Sequence, residues 1–196
     1  MQRHVNDEFV KRSKLEGYRS RAAYKLLEIQ EKDHVLKSGQ VVVDLGAAPG
    51  GWSQIAANLV GPKGEVVGFD ILPIDPLPGV TLIRGDFRED ESLRALDAVL
   101  DGRLVDLVIS DMAPNVSGVA AVDQPRAMYL CELALDFCEG HLRRGGGFVC
   151  KVFHGEGLDV WMREVKSRFG RAVTRKPKAS RANSREVYLV AGNYLS

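Results

Sequence analysis

The sequence predicts one α/β domain organised around a mostly parallel, doubly wound sheet. Short continuous apolar segments such as Val41-Val42-Val43 recur along the chain, as strands covered on both faces require. Segments with apolar residues at helical spacing alternate with them, the pattern of repeated strand-helix-strand units. Two of the strands run to an aspartate and another into a glycine-rich turn, at the edge where such sheets hold their ligands.

In chain order, Ser20 opens a helix predicted over 20–32, with Ala22, Ala23, Leu26, Leu27 and Ile29 on its apolar side. A strand over 41–45 feeds a helix over 51–59. A strand over 66–69 ends at Asp70, and a third covers 81–83. A helix over 91–100 precedes a strand over 104–110 that ends at Asp111. A long helix over 126–142 follows, then a strand over 147–153, a helix over 158–169 and a late strand over 186–191. There is no internal repeat, low-complexity tract or linker, so 1–196 reads as a single domain whose first 37 residues form a basic, helical segment.

Hydrophobic residues make up 45% of the chain and charged residues 27%, ordinary values for a globular domain that can bury a sizeable core. No apolar run approaches the roughly 20 residues of a membrane span, and the N-terminal region is too charged for a secretory signal. Cys131, Cys138 and Cys150 lack metal-type spacing and read as reduced core thiols of a cytoplasmic protein, with no metal site expected. The net charge of +1 hides an asymmetry. Lys11, Arg12, Lys14, Arg19, Arg21 and Lys25 stand against Glu16 alone, and 143–185 carries twelve Lys or Arg against Glu156, Asp159 and Glu164. Two basic segments around an acidic middle suggest a polyanionic partner, although solvated surface charge alone gives the same pattern.

The loop 44–51, Asp-Leu-Gly-Ala-Ala-Pro-Gly-Gly, follows the first strand directly. Its small residues (Gly46, Gly50 and Gly51 among them) allow the backbone to approach a ligand closely. Asp70, nineteen residues beyond Gly51, is placed to accept both hydroxyls of a ribose. The loop lacks G-x-G-x-x-G spacing and a following Gly-Lys-Ser/Thr, which argues against a dinucleotide or a P-loop. Asp44 would repel a pyrophosphate but could bind the ammonium of a methionine moiety, so S-adenosylmethionine is the expected cofactor. Asp86 either receives the adenine amino group or serves as a turn or helix-cap aspartate. Trp52 either packs on the cofactor or fills the base of its helix.

The acceptor atom is narrowed by elimination. After Asp111 there is no Asn/Asp-Pro-Pro-aromatic motif of the amine enzymes, and no cysteine follows a proline as cytosine C5 chemistry needs. An oxygen acceptor remains. Lys151, flanked by Val149, Cys150, Val152 and Phe153, is expected to be buried, either as a neutral base or as a cation facing a developing alkoxide. Taken singly, Lys151 also reads as an edge-protecting charge, Glu186 as an exposed alternating position and Lys25 as a snorkelling lysine.

Together, Lys25, Asp111, Lys151 and Glu186 fall in order on the Lys-Asp-Lys-Glu tetrad of the FtsJ-type RNA 2′-O-ribose methyltransferases, which the chain resembles over nearly its whole length. The resemblance runs through 19–26, 43–53, 85–88, 110–118, 125–130, 151–153 and 180–190. It implies a Rossmann-like S-adenosylmethionine-dependent fold with one antiparallel strand near the C-terminus. It also implies cofactor contacts at Gly50, Trp52, Asp70, Asp86 and Asp111, with Lys151 as proton acceptor. His154 stands where the family pattern suggests a neutral polar residue and is given no catalytic role.

The activity implied is methylation of a uridine ribose in 23S ribosomal RNA by direct in-line displacement. The basic segments then border the reaction centre, and the residues over 176–185 read as a mobile loop that could close over RNA. With no separate RNA-binding domain in this length, the assembled large ribosomal subunit is the expected substrate, and a monomer the expected state. Rival readings are a cap or transfer-RNA ribose as acceptor, or a non-catalytic assembly factor that keeps the cofactor fold.

Overall fold

The computed structural model describes residues 7–181 and 183–196; residues 1–6 of the basic N-terminal segment and Ala182 of the loop over 176–185 lie outside the described residues. Two helices come first, α1 (Glu8–Leu15) and α2 (Ala23–Asp33). Then β1 (Val41–Leu45), α3 (Gly51–Val60), β2 (Glu65–Asp70), β3 (Val80–Arg84) and α4 (Asp90–Leu100) alternate. They are followed by β4 (Val105–Ser110), α5 (Ala120–His141), β5 (Leu142–Phe153), α6 (Leu158–Arg168), β6 (Phe169–Arg175) and β7 (Glu186–Tyr194).

The sheet order is β3-β2-β1-β4-β5-β7-β6, with β1 to β5 parallel and β7 antiparallel to both of its neighbours. This is the α/β sheet the sequence predicts, and β7 is the single reversed strand. Alternation along the strands divides the core in two. Val42, Val66, Leu107, Ile109, Val149 and Tyr188 face α2 and α3, where they meet Leu26, Ile29, Trp52 and Ile55. Val43, Phe69, Val108, Phe148 and Leu189 face the other way, against Leu96 of α4, Leu135 of α5 and Trp161 of α6. Because both faces are covered, residues of either parity are apolar, as in the run Val41-Val42-Val43.

Four elements depart from expectation, the simplest being β5, which starts at Leu142 rather than 147. β6, absent from the sequence reading, is an edge strand of sequence FGRAVTR with only Phe169 fully buried, so no clean alternation marks it. The α1 helix buries only Ser13 and therefore shows no apolar stripe. The α5 helix begins at Ala120, six residues before the expected start, and carries Pro125 inside it, a residue that normally reads as a helix beginning. The loop over 176–185 is tied down at several points. Glu28 accepts from the backbone of Lys178 and Ala179, Arg21 donates to the Ala179 carbonyl, and Lys176 donates to the carbonyls of Ser184 and Glu186. Closure over a ligand would therefore have to break contacts with α2.

Candidate active site

The strand order reverses between β1 and β4, whose residues pair directly (Asp44 with Ile109, Leu45 with Ser110). Loops leaving these two strands diverge to opposite sides and open a cleft at the carboxyl edge. A cavity of about 530 Å3 occupies it, lined by Gly46 and Ala48 after β1, Asp70 to Leu72 after β2, Asp86 to Arg88 after β3, Asp111 to Asn115 after β4, and Arg126, Tyr129 and Leu130 of α5. That volume suits a nucleoside-sized ligand.

One side of the cleft is made largely by backbone. Gly46 has φ +77°, and a Cβ there would lie 2.5 Å from Met112 Cγ, so no side chain fits between this loop and the one after β4. A Cβ on Gly51 would meet Ser20 Oγ at 2.4 Å, which seats the first turn of α3 against the segment preceding α2. Asp70 ends β2 with its carboxylate held by two backbone donors, Ala48 N at 2.8 Å and Leu72 N at 2.8 Å. Each of its oxygens keeps a lone pair for an incoming hydroxyl. Asp86 is engaged by Arg88 through Nε and Nη2, and that side-chain bonding holds its carboxyl down at about 2.

Two of the sequence-predicted cofactor residues sit behind this wall. Asp44 is fully buried and accepts from Ser53 Oγ at 2.6 Å, while its other oxygen, Oδ1, has no partner. Burial first, reinforced by the nearby Asp111 and Asp70 carboxylates, pushes Asp44 up to about 7. Trp52 donates its indole N–H to the Ala22 carbonyl at 2.8 Å and packs against Tyr188, at 5.6 Å between ring centroids. Neither side chain lines the cavity, and nor do Gly50 and Gly51, which shape the start of α3.

Next to Asp111 stands a cluster of charged side chains from four distant segments, of which Asp111 alone lines the cavity. Lys151 lies at the carboxyl end of β5 and donates to the Asp111 main-chain carbonyl at 2.5 Å, with Asp111 Oδ1 at 3.2 Å. Lys25 reaches from α2 to Glu186 Oε1 at 2.6 Å. Both lysines are buried, at 8% exposure, where only paired charges are stable. Burial raises the Glu186 carboxyl, but the Lys25 ammonium outweighs it and holds Glu186 below the ordinary range. The antiparallel direction of β7 is what delivers Glu186, since the first residue of a reversed strand falls at the edge where the parallel strands end. Lys151 pairs with Tyr188 and Phe153 with Glu186, so Lys151, Tyr188 and Glu186 are clustered beneath α2.

The sequence reading assigned no role to Tyr188. Its hydroxyl donates to Asp111 Oδ1 at 2.8 Å, and its ring lies 5.5 Å from Lys25 Nζ, so it touches both charge pairs. Burial first, and then the Asp111 charge, raises its hydroxyl well above the ordinary phenol value and keeps it a donor. The signal was present in the strand period, because Tyr188 is two residues from Glu186 and must share its face. Arg126 and Tyr129 of the cavity wall also went without a role, although both lie in one of the segments that carries the resemblance.

An α/β sheet with a cavity at its switch point, rimmed by strand-end carboxylates and adjoined through Asp111 by buried lysine-carboxylate pairs, defines a Rossmann-like enzyme of nucleoside-type ligands. The sequence model of the FtsJ-like methyltransferases matches residues 18–194, and the chain belongs to that family of enzymes. It is 60% identical over 191 residues to the ribosomal RNA large subunit methyltransferase E of Alkalilimnicola ehrlichii, covering 97% of this chain and 91% of that protein. Over 194 residues it is 58% identical to the protein of the same name from Chromohalobacter salexigens, covering 99% and 92%. Among solved structures, a Plasmodium falciparum chain assigned as a ribosomal RNA methyltransferase superposes with a TM-score of 0.82 at 31% identity, covering 91% of this chain and all of that one.

Proposed function

We propose that this methyltransferase transfers the methyl group of S-adenosylmethionine to the 2′-hydroxyl of a uridine ribose in 23S ribosomal RNA, acting in the cytoplasm on the assembled large subunit. The observation that carries this reading is the buried Asp111-Lys151 pair, whose Asp111 lines the cavity, with Lys25-Glu186 linked to it through Tyr188. The names of the relatives supply the ribosomal setting.

S-adenosylmethionine would supply an electrophilic methyl on a sulfonium. Asp70 would take its ribose hydroxyls and the backbone at Gly46 would let it approach closely, with Asp86 and Asp111 of the cavity lining as further contacts. Asp44, Gly50, Gly51 and Trp52 support the loop from behind. Lys151 Nζ is tetrahedral, and two of its positions point at the Asp111 carbonyl and carboxylate. A remaining position is free to face the acceptor hydroxyl. As a neutral amine it accepts the hydroxyl proton there, and as a cation it steadies the alkoxide. Asp111, fixed by Tyr188, sets that direction, and Lys25 with Glu186 holds the nucleotide beside it. The basic stretches around Lys25 and Glu186 lie where phosphates would pass, giving salt-dependent affinity.

Labelled methyl transfer to purified undermethylated large subunits, followed by nuclease mapping, tests the proposal. Label on a uridine ribose is expected; label on a base would refute the oxygen acceptor.

A further inference from the structure

We infer that Arg19 is a positioning residue for the methyl-donor cavity, clamping two of its walls together, rather than a phosphate contact of the RNA. The inference rests on the donor reading above. By charge alone Arg19 belongs to the basic stretch 11–25, yet its guanidinium is engaged by three backbone carbonyls at the protein surface. Nη1 donates to Pro49 O at 3.3 Å and Asp75 O at 2.6 Å, and Nη2 donates to Pro76 O at 2.7 Å.

These carbonyls belong to two different walls. Pro49 lies in the loop whose Gly46 and Ala48 line the cavity. Asp75 and Pro76 lie in the segment over 71–79 joining β2 to β3, whose Ile71 and Leu72 line the cavity from the other side. That segment has no helix or strand, and its three prolines (Pro73, Pro76, Pro78) supply no N–H of their own. With few donors of its own to fix its path, the segment is tied to the rest of the protein by bonds from elsewhere, and Arg19 provides two.

Arg19 is itself held in place. Its backbone N donates to Gln54 Oε1 at 3.2 Å, and Gln54 Nε2 donates to the Gly17 carbonyl at 2.9 Å. Its stem crosses Gly50, where a Cβ would sit 3.1 Å from Arg19 Cδ and 2.7 Å from Leu77 Cδ1. A planar fork with five N–H donors can serve three carbonyls on two loops, and a lysine ammonium on a flexible stem is a poor substitute. Preorganised walls spare the donor the cost of ordering them, so Arg19 sets donor affinity without touching the donor.

The test titrates S-adenosylmethionine into wild type, Arg19→Ala and Arg19→Lys by calorimetry, with transfer to undermethylated large subunits measured in parallel. For Arg19→Ala the donor Kd and KM rise about tenfold, the scale of one lost charge-assisted hydrogen bond. The KM for subunits, its salt dependence and kcat at saturating donor stay within twofold. Arg19→Lys, which keeps charge and fold should the alanine variant fail to fold, remains weak for donor. Unchanged donor affinity with a raised subunit KM and a shallower salt slope overturns the inference in favour of an RNA contact, and full rescue by lysine also overturns it. If wild type binds no S-adenosylmethionine, the donor reading itself has failed; if wild type binds and both variants bind equally well, only the role of Arg19 has.

Discussion

The two sides of the cleft are built from different materials. The side proposed for the donor is backbone, small residues and two carboxylates, Asp70 and Asp86, drawn mostly from the stretch between β1 and α3 and the ends of β2 and β3. The side proposed for the acceptor is a cluster reached through Asp111: four charged side chains and a tyrosine gathered from α2, β5, β7 and the loop after β4. A cavity wall made of backbone discriminates by shape, and a change there alters binding. Paired charges in a dry interior act on the reacting proton, and a change there alters turnover.

The largest test of that division is Lys151→Ala. Turnover should fall by about 1,000-fold or more, within the span usual for a lost acid-base group, while S-adenosylmethionine binds as before. Single-turnover transfer and calorimetry read the two quantities separately. Unaltered turnover would remove Lys151 from the chemistry. The mirror-image test is Gly46→Val. A branched side chain at φ +77° would be driven into Met112, so donor affinity should drop by roughly 100-fold, the scale of a few kcal/mol of strain and overpacking. At saturating donor the turnover should be nearly normal. Equal losses in both quantities would mean that the two sides are not separable.

Tyr188→Phe asks how far the acceptor side depends on its support. Removing the hydroxyl leaves the ring in its place against Trp52 but takes one donor from Asp111. We expect kcat to fall about tenfold with no change in donor Kd, as for one hydrogen bond to a charged group. A tenfold change in donor Kd instead would place Tyr188 with the wall.

The same contrast explains what was legible in the sequence. The donor loop was readable because its parts are contiguous and glycine, proline and aspartate each have a local backbone meaning. The strand-end position of Asp70 and Asp111 followed from hydrophobic runs stopping there. Lys25 and Glu186 had no such local mark, and Lys151 only its apolar neighbours; taken singly each also reads as a surface or edge charge, and their joint match to a family pattern singled them out. Their convergence depends on the reversal of β7, and strand direction leaves no trace in composition. Arg19 and Arg21 were read as part of a basic stretch for a polyanionic partner, because an arginine committed to carbonyls of its own chain looks, in sequence, like any other arginine. For Trp52 the sequence left two readings open, and its contacts with the Ala22 carbonyl and Tyr188 fit the one in which it fills the base of its helix.

The smallest effects expected are in stability against pH, and here the two sides should differ in sign. Asp44, behind the donor loop, has its folded value raised to about 7 by burial. The native state therefore holds this proton more tightly than the unfolded chain. Stability from Asp44 is complete below the ordinary carboxylate range and is lost as pH rises through about 7. Glu186, on the acceptor side, is held below its ordinary value once the Lys25 ammonium has overcome the effect of burial. Its contribution is present above the ordinary range and is lost as pH falls through the folded value. Relative to wild type, Asp44→Asn should gain a few degrees in Tm between about pH 5 and 8, because the asparagine carries no charge to desolvate. Glu186→Gln should instead lose Tm over that range, since it leaves Lys25 buried without its partner, and the loss should shrink as wild type is acidified below about pH 4.5. Thermal melts of the three proteins across this range decide the matter. Difference curves of the same sign would show that the carboxylates behind the loop and beneath α2 belong to one electrostatic unit rather than two.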